Sequence, residues 1–236
     1  GASGDVLELL GKASIAAHSA AMHGYRWVPY SANMNDIARE KLTILSDIDA
    51  AIAGGEIWVA YQPKLCIANG QVNSAEALVR WNHPKLGAIR PDRFIPVLEA
   101  DGRMTDLTLH ILRQCLADIH AWNRMGKAIN CSINISAALL LDRDFMARCM
   151  QAVNESPTPN SQVTFEITET ASLENLDDAA LITRQISDTG VRISIDDYGT
   201  GQSSLSYLRN FCAHEIKIDQ SFIKSNLSIV LDTQFR

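Results

Sequence analysis

No apolar run in the sequence approaches the roughly 20 residues needed to cross a bilayer, and no secretory leader pattern is visible at Gly1-Ala2-Ser3. A soluble, cytoplasmic protein with no membrane segment is the expectation. Cysteine is sparse: Cys66, Cys115, Cys131, Cys149 and Cys212 are odd in number, scattered and without CxxC spacing. Neither a disulfide framework nor a zinc site is supported, and they read as small core residues in a reducing compartment. The six histidines contain no HExxH pair, which argues against a zinc hydrolase. A formal net charge of -6 argues against a broad basic surface for duplex nucleic acid. An anionic substrate stays open, provided metal ions invert the local field.

What is there is ordinary globular material, 236 residues of which 47% are hydrophobic and 20% charged, enough for one sizeable core. Its most informative stretch is Ser74-Ala75-Glu76-Ala77-Leu78-Val79-Arg80-Trp81. At a period of two, Glu76, Leu78 and Arg80 share one face and Ala75, Ala77 and Val79 the other, the pattern of a strand with a functional face. The same alternation recurs. Asn134 stands out of phase with Ile133 and Ile135, Glu166 with Phe165 and Ile167, Asp196 with Ile193 and Ile195, and Lys217 with Ile216 and Ile218. From Asn134 onward these strands recur at about 30 residues or fewer, with helical segments between most of them, the period of a βα unit. Strands joined in this way are parallel, and a barrel brings their carboxyl ends to one mouth. Glu76, Asn134, Glu166, Asp196 and Lys217 are therefore predicted to converge. Each alone reads equally well as a buried polar group satisfied by its neighbours; five in register on five strands do not.

Along the chain, Lys12 to Ala20 is helical in propensity and ends at Gly24, and residues 25–30 read as a short strand. Residues 35–53 predict an amphipathic helix with Ile37, Leu42, Leu45, Ile48 and Ile52 on its apolar face, stopped by Gly54-Gly55. Residues 57–63 form the first strand, and the turn at Ala68-Asn69-Gly70-Gln71 makes the pair with the Glu76 strand antiparallel. Residues 83–87 read as a loop, and Pro91 opens a short helix. Longer helices are predicted at about 104–125, 142–154 and 174–189. In Asp196-Asp197-Tyr198-Gly199-Thr200-Gly201-Gln202-Ser203-Ser204, paired carboxylates sit where a strand ends in a glycine-rich loop. The plainer account, helix capping by Ser203 ahead of a helix over 203–208, needs no paired aspartates.

Seven motifs stand in order: Tyr61-Gln62-Pro63, Glu76-Ala77-Leu78 with Arg80-Trp81, Phe94-Ile95-Pro96, Asn134-Ile135-Ser136, Glu166-Ile167-Thr168-Glu169, Asp196-Asp197-Tyr198-Gly199-Thr200-Gly201 and Lys217-Ile218-Asp219. Over about residues 40–224 the sequence resembles the EAL-domain family of cyclic di-GMP phosphodiesterases. The resemblance implies an α/β fold, a modified (β/α)8 TIM barrel with an antiparallel first strand. It implies hydrolysis of cyclic di-GMP to linear pGpG at a two-metal site holding Mg2+ or Mn2+, and the all-oxygen set of Glu76, Asn134, Glu166 and Asp196 suits such hard cations. Carried over by motif, those four would ligate the first metal and Asp197 the second. Lys217 would assist deprotonation or positioning of the attacking water, its pKa lowered by the cations; its plainer role, a salt bridge to a barrel carboxylate, is compatible with that as a resting state. Arg80 would hold a phosphate oxygen, Gln62 and Leu78 would contact the nucleotide, and Glu169 would brace the Asp197–Ser204 loop. Trp81 reads as packing. Residues 34–236 would form this domain, with 1–33 a linker or the tail of a GGDEF-like domain. A homodimer and an upstream sensor or GGDEF-like domain are compatible with the family.

Two departures qualify the resemblance. Tyr198 and Gln202 stand where the family usually has Phe and Tyr; the first change is mild, and the second is expected to weaken the loop contacts the family uses in dimerisation and metal-site assembly. After Lys217 the family continues into a strand bearing E-G-V-E, whose first Glu is a metal ligand, and a last strand with Q-G; neither motif occurs here. The barrel is therefore expected to lack its last two strands within this sequence, leaving two open edges and a metal site one ligand short unless further chain supplies it. Residues 225–236 read as a helix or a frayed tail. The competing function is a receptor that binds cyclic di-GMP uncut and acts through protein partners; such receptors commonly lose the Glu of the EAL motif or the paired Asp, and both are retained.

Overall fold

The structure is a computed structural model that describes residues 6–22, 24–168, 176–199 and 211–222. The chain divides into two compact units, residues 1–56 with 81–102 and residues 57–80 with 103–236.

In the first unit, α1 (Val6–Met22) and α2 (Ala32–Gly54) are followed, later in the chain, by β3 (Gly87–Ile89) and α3 (Pro91–Ala100). Helix α1 begins before the predicted Lys12, and its first turns carry an ion pair one turn apart, Glu8 with Lys12 at 2.5 Å. Residues 25–30 are not a strand: among the described residues no strand pairs with them, Pro29 has no N–H to give, and Trp27 is exposed. The buried stripe of α2 is also rotated from the predicted one. Ile44, Ile48 and Ala51 are fully buried while Ile37 and Leu42 face solvent; α2 packs on both α1 and α3. The segment 83–87 is in part strand: the last residues of β2 pair antiparallel with β3 through Trp81–Ile89 and His83–Gly87. Trp81 is buried edge-on against Phe94, with ring centroids 5.4 Å apart. Nδ1 of buried His83 accepts from the backbone N–H of Lys85 and Leu86, and its Nε2 lies 3.1 Å from Asp47.

The second unit holds the sheet. Strands β1 (Ile57–Cys66), β2 (Gln71–His83), β4 (Asn130–Ile135), β5 (Val163–Thr168), β6 (Arg192–Tyr198) and β7 (Glu215–Ile218) are hydrogen-bonded neighbours in that order. Four residues join β1 to β2, closed by hydrogen bonds from the Asn69 and Gly70 N–H to the Cys66 carbonyl. So short a connection permits only an antiparallel pair. Along β2, β4, β5, β6 and β7 every successive pairing is parallel, as crossover helices dictate. Those helices are α4 (Met104–Arg124), the short α5 (Ala137–Leu141), which the sequence reading did not predict, α6 (Arg143–Glu155) and α7 (Leu176–Asp188).

The outward strand faces make the core. Cys131, Ile133, Val163, Phe165, Ile167, Ile193 and Ile195 are all at most 1% exposed and cluster with Leu112, Cys115 and Ile119 of α4 and Phe145 and Cys149 of α6. Asp142 caps α6 by accepting the Phe145 N–H. Tyr61 of β1 turns to the same side, donating to Asp118 and meeting Trp122 edge-on. One residue out of phase, Gln62 and Lys64 take the other side. There Lys64 of β1 bonds Glu215 of β7 at 2.8 Å, so the two end strands curl toward each other. The sheet is a curled half-barrel, a mixed α/β fold of the TIM-barrel kind; among the described residues no backbone pairing closes β7 onto β1. The expectations for residues 169, 200–210 and 225–236 fall outside the described residues.

Candidate metal centre

Register carries the site. In the parallel ladder Asn134 is opposite Glu166, and Thr168 is opposite Asp196, so equivalent positions rise together toward the carboxyl ends of the strands. The alternation that buries Ala75, Ala77 and Val79 leaves Glu76, Leu78 and Arg80 on the inner face of β2. Carboxylate oxygens of Glu76, Glu166 and Asp196 lie within 4.8 Å of one another. Asn134 donates to Glu76 Oε1 at 3.1 Å.

Lys217 Nζ stands among the same carboxylates, 3.0 Å from Glu76 Oε2, 2.9 Å from Glu166 Oε2 and 2.8 Å from Asp196 Oδ2. Three like charges at this spacing repel unless a cation joins them, and the ammonium is that cation. Burial works against the charge on Lys217, but hydrogen bonds to Asp196, Glu166 and Glu76 outweigh it and raise its pKa.

Beneath this layer lies another. Lys64 Nζ reaches Ser132 Oγ at 2.9 Å, Glu166 Oε1 at 2.7 Å and Glu215 Oε1 at 2.8 Å. Burial again opposes its charge, and its carboxylate partners raise the pKa. Ser194, two residues before Asp196, has the one buried side-chain polar atom without a hydrogen-bond partner among the described residues. Neither Lys64 nor Glu215 was singled out from the sequence. The signal was present in β1, where Lys64 alternates in phase with Gln62, but its partners are 102 and 151 residues away in the chain.

The β6 end is irregular. Between Ile195 and Tyr198 the register with β7 shifts, and Asp197 takes φ +53, a conformation that a non-glycine residue adopts at a cost. The Asp197 N–H bonds Asp196 Oδ1 at 2.8 Å. Burial raises the Asp197 pKa first, and the charges of Asp196 and Asp219 add to it. Gly199 follows at φ +101, where a Cβ would fall 2.2 Å from the Phe222 ring. Only glycine fits that turn.

Of the residues expected in the site, Glu76, Asn134, Glu166, Asp196 and Lys217 are brought together, and Asp197 stands beside them. Gln62, Leu78 and Arg80 lie on β1 and β2 outside that cluster, Arg80 Nη1 donating to the Val79 carbonyl. Glu169 is outside the described residues. The donor set fits a hard divalent cation: its atoms are all oxygens, three of them carboxylate, and a positive charge already resides among them.

The family described as EAL domain matches residues 45–229. The bifunctional diguanylate cyclase/cyclic di-GMP phosphodiesterase MucR of Pseudomonas aeruginosa is 34% identical over 195 residues, which are 82% of this chain and 28% of that protein. The cyclic di-GMP phosphodiesterase NbdA of the same organism is 33% identical over 223 residues, 92% of this chain and 28% of that protein. This chain thus spans less than a third of the length of these relatives. Among solved structures, the PaMucR phosphodiesterase in complex with c-di-GMP superposes with a TM-score of 0.74 at 33% identity, covering 78% of this chain and 75% of that one. No helix among the described residues is long and apolar enough to cross a membrane.

Proposed function

The chain belongs to the EAL domain family, and from that premise we propose that it is a metal-dependent phosphodiesterase that opens cyclic di-GMP to linear pGpG. The observation that carries this reading is the group of Glu76, Glu166 and Asp196 oxygens within 4.8 Å, presented by three separate strands. Glu76, Asn134, Glu166 and Asp196 would hold the first Mg2+ or Mn2+ and Asp197 would contribute to the second. When bound, such ions supply Lewis acidity toward phosphoryl oxygens and a more acidic water. In the reaction a water oxygen joins phosphorus, the P–O3′ bond breaks, and the 3′ oxygen departs carrying a proton as the hydroxyl of pGpG.

The chain's own groups bind and orient. Arg80 is a fixed cation on the inner face of β2 for a non-bridging phosphate oxygen, and its guanidinium suits that geometry. Gln62 and Leu78 would contact the nucleotide. Lys217, beside the carboxylates of the mouth, would assist deprotonation or positioning of the attacking water. Glu169 would brace the loop after Asp197. The assay is incubation of the chain with cyclic di-GMP and Mg2+ or Mn2+, with the products separated by chromatography. Linear pGpG should accumulate and should stop accumulating when EDTA is added. Cyclic di-GMP that is bound but recovered intact would instead make the protein a receptor.

A further inference from the structure

We infer that Lys64 is a positioning residue of this centre: from the floor of the half-barrel it fixes Glu166 so that the carboxylate's other oxygen faces the mouth. The inference rests on the reading of the mouth as a divalent-cation site. The Glu166 side chain is fully buried, where an uncompensated carboxylate would cost several kcal/mol. Its two oxygens are divided between two ammonium groups, Oε1 with Lys64 at 2.7 Å and Oε2 with Lys217 at 2.9 Å. Lys217 also bonds Glu76 and Asp196, the other members of the mouth group. Lys64 bonds neither, and its remaining partners are Ser132 and Glu215.

The division has a consequence for metal uptake. A cation entering the mouth group competes with Lys217, the ion that already bonds all three carboxylates. It does not compete with Lys64, whose contact is on Oε1. The terminal torsion of a glutamate is broad, so hydrogen bonds must set which oxygen is offered upward. Lys64 sets it, and is itself held by Ser132 on β4 and Glu215 on β7. Without Lys64, Oε1 is a buried acceptor lacking its partner, and Glu166 turns to satisfy it at the expense of the mouth.

Calorimetric titration of Mn2+ into the full 236-residue chain, with no nucleotide present, tests this. Lys64→Met is expected to weaken Mn2+ binding about 10–100-fold, the usual effect of losing a partner that orients a ligand, and Lys64→Arg should recover part of the loss. A Lys64→Met chain that is folded by circular dichroism and binds Mn2+ as tightly as the parent overturns the inference. Lys64 would then be a strut between β1 and β7, visible only as a lower Tm. Should Lys64→Met not fold, the double change Lys64→Met with Glu215→Met removes the carboxylate left stranded, and the same loss or retention of affinity decides. A parent chain that takes up no Mn2+ sinks the cation reading itself; a parent and variant that bind equally sink the role of Lys64 alone.

Discussion

The two faces of the central strands are one residue apart and physically opposite. Outward, Ile133, Phe165, Ile167, Ile193 and Ile195 are almost completely removed from water and pack against helices. Inward, Asn134, Glu166 and Asp196 alternate with them and meet Glu76 and Lys217 in a cluster of charges that share one another's hydrogen bonds. The outward face is apolar surface removed from water, which is what stabilises a fold. The inward face gathers carboxylates that would repel one another without a cation, an arrangement that stability alone does not select. The comparison teaches that a strand of period two can carry both tasks, provided that each is confined to its own parity.

Substitutions break this comparison if parity does not sort their effects. Phe165→Ala should have the largest effect on stability, about 3–5 kcal/mol from lost burial and the cavity left behind, read as a lower urea midpoint. Glu76→Ala, an inward position on β2, separated from β5 by β4, should do the reverse. Its urea midpoint should move by no more than about 1 kcal/mol, since Lys217 keeps two carboxylates. Cyclic di-GMP turnover should meanwhile fall by about a thousandfold, roughly 4 kcal/mol of transition-state stabilisation. The smallest expected effect is Asp142→Ala, which removes the cap of α6 behind the outward face: about 1 kcal/mol of stability, with turnover unchanged. A Phe165 variant that loses turnover while keeping stability, or a Glu76 variant that unfolds, would show that the two faces are not separable in this way.

Much of this was legible in the sequence because period-two alternation and parallel order are local properties. Once Glu76, Asn134, Glu166, Asp196 and Lys217 each stood out of phase with isoleucine, alanine or phenylalanine neighbours, the register brought them to one rim. What stayed hidden depends on partners far along the chain or on curvature. The floor formed by Lys64, Ser132 and Glu215 appears only when β1 and β7 curl together. The stripe on α2 lies over Ile44, Ile48 and Ala51, and periodicity alone equally allowed the face through Ile37 and Leu42. Residues 25–30 have strand-like composition, yet a strand needs a neighbouring strand to pair with, and none pairs with them among the described residues.

The most direct measurement is anomalous diffraction from crystals of the chain grown with Mn2+. The account expects a manganese peak bounded by the oxygens of Glu76, Asn134, Glu166 and Asp196, with the Lys217 ammonium moved out from among the three carboxylates. A crystal saturated with Mn2+ that shows no peak there, and Lys217 still bonded to Glu76, Glu166 and Asp196, would contradict it.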